Sequence, residues 1–573
     1  MHHRGPISGI SSLEDRYIAT AGYDNQIILW DAKTATPLHR VHHDHLANQC
    51  AFNNAGNLLV SASSDHTARI WHVPSLRLKA ARVGHLDDVE MAMFSPDGET
   101  VATCSRDHTL RLFDLSGRVR FVLEGHSADV ISVSWAADGR TLVSSSDDGT
   151  IRRWCANTGS AIDVVDLNGI ETDTVAISSE GIIFAGDDAG VISVITPSGI
   201  HLEAAHSAGI KRLVWDDARR LLVTLSYDRS VVLWYFDTDR ALSRRAHSVL
   251  PSIVWPRSCA FLGTDRIAFV TFGSRYATWN FESGQWDTAS VQPTYGLNAV
   301  AVIDRDVFSV GDGGTVWKNG LVCMQLGSLC NFLLPIGHTL LTGGQTGEVF
   351  DAVSGEVIHQ HRSPLNCACL FKRDGVIHAA IGTYTGEALI FVLGEGHVRF
   401  VETVQMHGNA IKGISASADS LFSVCATAAV AFHRISDFRL EQLIEKAHDR
   451  ISNGCVAIPN GFASIGRDLK LRLWRKDANE VYDTPHESSI KCIALAENQR
   501  YLATGSYGGV IAIFDLVRQA WISVQKPTCS GISCLTPDNE NDGFLASSYD
   551  GNTYEISVQA SLRSTPSTTC TGI

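Results

Sequence analysis

The sequence predicts an all-β protein built from a repeat of about forty residues. Four stretches of the chain align with one another without gaps. Within each stretch, short apolar runs rich in Val, Ile, Leu and Thr are separated by turn-forming residues such as Asp97-Gly98 and Asp138-Gly139. Short runs between tight turns are typical of antiparallel strands joined by hairpins, and no long helical period interrupts them.

The four aligned copies share the positions of their key residue types. Each copy begins with a histidine and has an aromatic residue nine positions later, an aspartate 22 positions later and a second aromatic residue 28 positions later. The copies begin at His43, His85, His126 and His206. Because the same spacing occurs four times, it indicates one supersecondary unit repeated along the chain.

A period of 40 to 45 residues that begins with His and ends with Trp or Trp-Asp resembles the WD-repeat family. The run Ile28-Leu29-Trp30-Asp31 carries the signature dipeptide of that family. In the family each unit forms one four-stranded blade of a β-propeller. The resemblance therefore implies four-stranded antiparallel blades arranged in closed rings.

The repeat continues, with decay, to the C-terminus. Clear units surround Asp468 and Trp474, His486 and Phe514, and Asp550, and weaker copies lie before them. Strong and weak units together number fourteen, which suggests two rings of seven.

We expect two tandem seven-bladed WD-repeat β-propellers of four-stranded antiparallel blades. The first occupies residues 1–289, the second occupies residues 290–560 and contains several degenerate blades, and residues 561–573, rich in Thr and Ser, form a flexible tail. The degenerate stretches around 165–200 and 240–345 leave two alternatives open, a single larger ring or a split into six and eight blades.

The net charge of −14 disfavours binding to polyanions. Such a chain has no overall positive field to attract nucleic acid or an anionic membrane surface. Arg pairs such as Arg152-Arg153 still allow a local basic patch. No apolar run approaches the ~18 residues of a membrane-spanning helix, and the N-terminus lacks the apolar core of a secretory signal. The fourteen cysteines show no paired spacing that would hold zinc. We expect a cytoplasmic protein with reduced thiols and without a membrane segment.

The resemblance also implies a role for the recurring polar residues. In the family, His, a hydroxyl, Asp and Trp form a structural hydrogen-bond relay inside a blade. A catalytic set is needed once, whereas this set recurs blade after blade, so we expect it to satisfy a buried Asp turn rather than to act on a substrate. The matching residues are His43, Ser61, Asp65 and Trp71; His85, Thr103 and Asp107, with Phe113 in place of Trp; His126, Ser144, Asp148 and Trp154; and His206, Thr224, Asp228 and Trp234.

The sequence gives little support for a metal site, a phosphate-binding loop or a catalytic motif. The run from His42 to His45 offers three histidines and one aspartate, but His43 belongs to the relay and its neighbours would diverge along a strand, so we expect no metal site. There is no phosphate-binding GxxxxGK[ST] loop, no GxSxG elbow and no HExxH sequence. We therefore expect no cofactor and no catalytic residues.

The resemblance places candidate partner contacts at the residue before each turn aspartate, which projects onto the narrower face of the ring. Tyr and Arg at such positions favour a protein interface, because these residues often carry interface energy. The candidate face consists of Tyr23, Arg106, Tyr227, Arg467, Tyr507 and Tyr549.

These observations predict a non-catalytic scaffold or adaptor that binds one or more proteins, within a multiprotein complex, on its propeller faces. The alternative is a nucleic-acid-associated or ligand-sensing propeller that regulates a partner enzyme, although nucleic acid is disfavoured by the charge. A cofactor-dependent propeller enzyme is less favoured, because the repeated signature of quinone-dependent dehydrogenases is absent.

Overall fold

The computed structural model describes residues 1–237, 241–394, 396–475, 479–538 and 543–558. The predicted tail at residues 561–573 lies outside the described residues. The described residues form β-strands joined by turns and contain no α-helix. Consequently no helix of the length and hydropathy needed to cross a membrane occurs among them.

The first twenty-eight strands form seven antiparallel sheets of four consecutive strands. They are β1 (Ile7–Leu13), β2 (Tyr17–Gly22), β3 (Gln26–Asp31), β4 (Pro37–His42); β5 (Ala47–Phe52), β6 (Leu58–Ser63), β7 (Ala68–His72), β8 (Arg77–Arg82); β9 (Val89–Phe94), β10 (Thr100–Ser105), β11 (Leu110–Asp114), β12 (Val119–Leu123); β13 (Val130–Trp135), β14 (Thr141–Ser146), β15 (Thr150–Cys155), β16 (Ala161–Asp166); β17 (Thr174–Ile177), β18 (Ile183–Gly186), β19 (Val191–Thr196), β20 (Gly199–Ala204); β21 (Ile210–Asp216), β22 (Leu221–Ser226), β23 (Ser230–Phe236), β24 (Leu242–Val249); β25 (Val254–Leu262), β26 (Arg266–Thr271), β27 (Ala277–Asn280) and β28 (Trp286–Asp287).

The remaining strands form seven further sheets, of which the last has three described strands. They are β29 (Leu297–Ile303), β30 (Asp306–Gly311), β31 (Thr315–Lys318), β32 (Leu321–Gln325); β33 (Cys330–Ile336), β34 (Thr339–Gly344), β35 (Glu348–Asp351), β36 (Val357–Gln360); β37 (Leu365–Arg373), β38 (Val376–Thr383), β39 (Glu387–Gly394), β40 (His397–Gln405); β41 (Ile411–Ala416), β42 (Ser420–Cys425), β43 (Val430–Arg434), β44 (Leu440–Ile444); β45 (Ser452–Ile458), β46 (Gly461–Gly466), β47 (Lys470–Arg475), β48 (Asn479–Asp483); β49 (Ile490–Leu495), β50 (Tyr501–Ser506), β51 (Ile511–Asp515), β52 (Ala520–Gln525); β53 (Ile532–Asp538), β54 (Gly543–Ser548) and β55 (Thr553–Ile556).

The first strands of successive sheets contact one another and group the sheets as seven and seven. In the first group, β1, β5, β9, β13, β17, β21 and β25 contact in this order and β25 contacts β1 again. In the second group, β29 to β53 do the same and β53 contacts β29. We call the groups the first ring (β1–β28) and the second ring (β29–β55), and each sheet a blade. The all-β fold of antiparallel, predominantly four-stranded blades is thereby confirmed.

The core lies between neighbouring blades and not at the centre of each ring. Side chains of a strand alternate between the two faces of its sheet, so both faces of a blade need cover. In β22, Leu222 packs with Phe184 of the preceding blade, whereas Leu221 and Val223 pack with Phe269 of the following blade. Every blade is therefore stabilised by two neighbours.

The apolar contact between the first and seventh blades closes the first ring. Ile18 and Ile28 of the first blade pack with Leu262 and Val270 of the seventh, and all four are almost completely buried. This contact joins segments more than two hundred residues apart in sequence.

Replacement of Ile28 by Ala should weaken this closing contact. The loss of a buried aliphatic side chain costs about 2–5 kcal/mol, because transfer energy is lost and a cavity remains. Urea unfolding followed by tryptophan fluorescence should show a lower midpoint for Ile28→Ala. The control Val249→Ala removes a side chain that is 64% exposed and should change the unfolding free energy by less than about 0.5 kcal/mol. Equal effects of the two changes would contradict the proposed importance of this contact.

Candidate functional site

The predicted relay residues of the second blade are joined by hydrogen bonds. The Nδ1 atom of His43 lies 2.9 Å from a carboxylate oxygen of Asp65, and its Nε2 atom lies 2.7 Å from the hydroxyl oxygen of Ser61. The indole N–H of Trp71 donates to the same hydroxyl oxygen at 2.8 Å. Each polar group therefore finds its partner inside the blade.

Three further blades of the first ring repeat this geometry. Phe113 of the third blade has no N–H to donate, whereas Trp154 and Trp234 donate to the relay hydroxyls at 2.8 Å and 3.0 Å. His85 lies 2.8 Å from the carboxylate of Asp107 and 2.7 Å from the hydroxyl of Thr103. His126 lies 2.9 Å from the carboxylate of Asp148 and 2.8 Å from the hydroxyl of Ser144. His206 lies 3.1 Å from the carboxylate of Asp228 and 2.7 Å from the hydroxyl of Thr224.

Two complete sets lie outside the residues that the sequence analysis assigned to the relay, although His448, Asp468 and Trp474 of one set mark a clear repeat in the sequence. In both, the histidine precedes the aspartate by 21 or 20 residues instead of 22, because the hairpin between the first two strands is shorter. The hydroxyl, Asp and Trp keep their spacing of four and six residues in every set, and this spacing is the sequence signal that identifies them. The additional sets are His3, Thr20, Asp24 and Trp30 in the first blade, and His448, Ser464, Asp468 and Trp474 in the twelfth.

Other blades of the second ring retain only part of the relay. His407 and His486 lie 2.8 Å from the hydroxyl oxygens of Ser423 and Thr504, and Gly508 stands where the thirteenth blade would have its aspartate. Burial lowers the pKa of each of these histidines to about 4. They are therefore neutral near pH 7, as a buried histidine without a carboxylate partner should be.

The relay carboxylates are held in their ionised form. Burial alone would raise the pKa of Asp228, but the hydrogen bond and charge of His206, the hydroxyl of Ser230 and the backbone N–H of Ser207 lower it to about 2. The same combination lowers the pKa of Asp65, Asp107 and Asp148 in their blades.

The lowered pKa of Asp228 predicts acid sensitivity of its blade. An unfolded Asp has a pKa of about 3.9, so this group stabilises the fold fully above about pH 4 and loses its contribution of about 2 kcal/mol as the pH falls toward 2. Asp228→Asn should therefore be less stable than the wild type at pH 7, and the difference should shrink between pH 4 and pH 2.

Urea unfolding across this pH range measures the difference. The exposed Glu99→Gln change is the matched control, because Glu99 has no ion pair among the described residues. A constant difference between wild type and Asp228→Asn at all pH values would refute the ionised relay.

The two rings enclose a cavity of about 1270 Å³ between them. In an antiparallel blade, the turn between the second and third strands and the loop that enters the first strand lie at the same end of the sheet. Residues from these turns and loops of both rings line the cavity, including Tyr23 and Tyr227 from the first ring and Tyr384 and Tyr507 from the second. The narrow faces of the two rings are therefore turned toward each other.

Ion pairs join the rings on one side of the cavity. Arg450 of the second ring pairs with Asp87 of the first, and the guanidinium of Arg467 lies 3.9 Å from the carboxylate of Asp88. These two carboxylates and His66 also bring possible metal-ligand atoms within 4.8 Å of one another. Because both carboxylates already face arginines, the geometry favours a contact between rings over a metal site.

Hydrogen bonds and an aromatic contact join the rings elsewhere. The Asn409 amide donates to the carboxylates of Glu171 and Asp188 at 2.6 Å and 2.8 Å. The rings of Tyr227 and Tyr384 meet edge to face with centroids 5.0 Å apart. Near the connection between the rings, the Ser252 hydroxyl donates to the Gly327 carbonyl oxygen at 2.8 Å.

The six residues of the predicted partner face all line this cavity and are half-buried: Tyr23, Arg106, Tyr227, Arg467, Tyr507 and Tyr549. They face the opposing ring and not open solvent. Arg106 is held by Glu90 and Asp129 within its own ring. Binding of a partner at these positions stays a prediction, and it requires access to the space between the rings.

The cavity wall of the first ring carries a cluster of carboxylates. Burial and the neighbouring carboxylates of Asp188 and Asp173 raise the pKa of Glu171 to about 8. Burial, followed by the charges of Glu171 and Asp173, also raises the pKa of Asp147. Lys211 lies within this cluster and pairs with Asp173 and Asp188.

Charge reversal should test the arrangement of the rings. Arg450→Glu places two carboxylates against each other and should move the rings apart, because like charges at this distance repel. Small-angle X-ray scattering should then report a larger radius of gyration for the variant than for the wild type.

Restoring the pair in the opposite sense supplies the control. The double variant Asp87→Arg with Arg450→Glu should return the radius of gyration toward the wild-type value. If Arg450→Glu leaves the scattering unchanged, the ion pair does not hold the rings together.

Comparison with known proteins assigns the repeat. The family model described as "WD domain, G-beta repeat" matches residues 1–31, 35–72, 78–114, 117–155, 199–235 and 480–515. Five of these segments lie in the first ring and one in the second, which follows the distribution of the strongest repeats.

Similar proteins include two groups. Apoptotic protease-activating factor 1 of Homo sapiens is 30% identical over 427 residues, which is 69% of this chain and 33% of that protein. The protein of the same name from Rattus norvegicus is 23% identical over 435 residues, 72% of this chain and 31% of its own length. The guanine nucleotide-binding protein subunit beta of Zea mays is 34% identical over 125 residues, 20% of this chain and 32% of its own.

The chain thus spans about a third of the length of these relatives. The matched segments coincide with blades that carry the His, hydroxyl and Asp relay or its remnants. Together, the matched repeats and the bladed all-β fold show that the chain belongs to the WD-repeat family.

Proposed function

We propose that this protein is a non-catalytic scaffold that binds partner proteins on its outward-facing surface. The observation that carries the proposal is the distribution of exposed apolar side chains. The narrow faces are turned toward each other, so the turns between the third and fourth strands of each blade lie on the outward faces. Apolar side chains are exposed in these turns in the second ring.

The two rings differ at equivalent positions of these turns. Val353 and Val517 lie two residues beyond the end of their third strands and are 45% and 75% exposed. The equivalent positions of the first ring hold polar residues such as Lys33, Asn157 and Glu282. A protein partner that covered these turns would remove both side chains from water. We therefore place the partner surface on the outward turns of the second ring.

The relatives support a role that operates through other proteins. One is by name a factor that activates a protease, and another is by name a subunit of a guanine nucleotide-binding protein. Both names describe action upon or together with a further protein. This supports a scaffold or adaptor within a multiprotein complex.

The polar residues that resemble catalytic groups support a non-enzymatic reading. The His, hydroxyl and Asp sets recur in blade after blade, and their members are hydrogen-bonded to one another. A set that is satisfied internally and repeated around a ring stabilises the fold without needing a substrate. The described cysteines are all unpaired, which favours a reducing compartment such as the cytoplasm.

Affinity purification from the native cell tests the proposal. The wild type should recover a stoichiometric protein partner that mass spectrometry identifies. Leu321, which is 75% exposed, begins β32 directly after an outward turn of the same ring. The variant Leu321→Asp, Val353→Asp, Val517→Asp should lose this partner, because three carboxylates would have to be desolvated in the interface.

A matched control distinguishes the loss of the partner surface from a general effect of added negative charge. The variant Asn157→Asp, Ser198→Asp, Ser283→Asp adds the same three charges to exposed outward turns of the first ring and should retain the partner. Recovery of nucleic acid that high salt removes would favour the nucleic-acid alternative. Loss of the partner from both variants would contradict the placement on the second ring.

A further inference from the structure

Two lysines of the second ring project into the cavity between the rings. Lys412 and Lys491 are the second residues of β41 and β49, and both line the cavity. In each strand this position is a β-bulge, where the register shifts between Ile411 and Gly413 and between Ile490 and Cys492. A bulge leaves one residue unpaired in the ladder and redirects its side chain.

Most other blades of the second ring have asparagine at this position. Each asparagine amide donates to a backbone carbonyl oxygen of the next blade and so links the two blades. The bonds run from Asn298 to Cys330 at 3.2 Å, from Asn331 to Leu365 at 2.8 Å, from Asn366 to Ile411 at 2.8 Å and from Asn453 to Ile490 at 2.7 Å. Neither Lys412 nor Lys491 makes such a bond among the described residues, so their two blades lack this link, as does the last blade, where Ser533 bonds to Ser547 of its own blade.

The chain contains a third lysine at the same position, and it is neutralised. Lys211 of β21 also occupies a bulge, and its ammonium pairs with the carboxylates of Asp173 and Asp188. Within the described part of the chain, no carboxylate lies within 4.0 Å of the ammonium of Lys412 or Lys491. Both lysine side chains are half-buried, and a partly desolvated charge without a carboxylate partner favours the binding of an ion of opposite charge.

The two lysines differ in their electrostatic surroundings. Burial alone would lower the pKa of Lys491, but the charges of Tyr507 and Tyr384 raise it. Burial, and after it the charge of Lys491, lowers the pKa of Lys412 to about 8. Burial alone would raise the pKa of Tyr507, but the charges of Lys491, Arg467 and Lys412 lower it. An anion placed here would relieve the repulsion between the two ammonium groups.

Groups suited to binding such an anion surround the two lysines. The ammonium of Lys412 lies 4.6 Å from the centre of the Tyr384 ring. Tyr507 and Tyr549 stack with centroids 6.0 Å apart and line the same cavity. The Nε atom of Arg467 is buried and has no acceptor among the described residues. Phenol hydroxyls and the guanidinium supply hydrogen-bond donors beside the two charges.

We propose that the cavity between the rings binds a small phosphorylated molecule whose phosphate lies against Lys412 and Lys491. A phosphate monoester carries a charge of about −1.5 to −2 near pH 7, which matches the two ammonium groups. The cavity of about 1270 Å³ leaves room for the rest of the molecule. This site would give the scaffold a small-molecule ligand. The proposal does not depend on the partner surface proposed for the outward turns.

Isothermal titration calorimetry with the full chain tests this site. The probes are inorganic phosphate, pyrophosphate and adenosine triphosphate, with adenosine as the uncharged comparison, all at constant ionic strength. We expect at least one phosphate probe to bind and adenosine to bind no better than the background. Stronger binding of adenosine triphosphate than of pyrophosphate would indicate a phosphate ester, and the reverse would indicate a free phosphate or polyphosphate.

The variant Lys412→Asn, Lys491→Asn introduces the residue that four other blades of the second ring carry. It should therefore fold, with a thermal unfolding midpoint equal to or above that of the wild type. The affinity for the phosphate probe should fall at least about tenfold, because both charge-assisted hydrogen bonds to the phosphate are lost. A binding constant within twofold of the wild type would overturn the proposal.

The control variant Lys79→Asn, Lys372→Asn removes the same charge from exposed positions. It should retain the wild-type affinity within about twofold, since surface charges are screened by solvent and salt. An equal loss in this variant would show a general charge effect and would overturn the site. The proposal also fails if no phosphate probe binds the wild type, or if only a single-stranded RNA oligomer binds it.

Discussion

Every blade has two apolar faces, and this constraint shapes the whole molecule. A sheet with one uncovered apolar face is unstable in water, so each blade must pack between two others. A linear stack would leave its first and last blades with an exposed face. The contact of Ile18 and Ile28 with Leu262 and Val270 removes those ends from the first ring. Each sheet keeps two edge strands, the first strand toward the centre of the ring and the last strand at its rim. The closed ring protects the central edges from pairing with another chain.

The relay depends on this packing and not the reverse. The complete sets lie in blades with strong repeats. The tenth and eleventh blades carry fewer relay groups, yet they pack into the closed second ring in the same way. The core of those blades remains dense, with Phe371, Ile390 and Ile414 buried together. Burial of apolar surface therefore maintains the blades, and the relay adds stability where a turn aspartate has to be satisfied. Loss of an aspartate is tolerated when the histidine stays neutral, as for His407 and His486.

The opposition of the two narrow faces determines which surfaces are free. It places the aromatic and charged turn residues of both rings on the wall of one cavity and leaves the outward turns in contact with solvent. The two sides of the cavity differ in charge: carboxylates collect around Lys211 on the first ring, whereas Lys412 and Lys491 have no carboxylate partner within 4.0 Å on the second. A protein partner on the outside and a small anion on the inside would thus use separate parts of the molecule.

The sequence by itself determined the all-β class and the forty-residue unit, because these features follow from strand alternation and from the regular spacing of the copies. The hydrogen bonding of the relay was implied by the resemblance to the WD-repeat family. The same reasoning missed the set at His3 and recognised the repeat at His448 without assigning its relay, because a shorter hairpin changes the distance from the histidine to the aspartate. Only the tertiary structure decided how the narrow faces are oriented and which lysines are neutralised. Lys211, Lys412 and Lys491 follow isoleucine at the start of equivalent strands and are indistinguishable by local pattern. Their difference lies in whether carboxylates distant in sequence come within ion-pair distance, and that depends on the packing of the blades around the cavity.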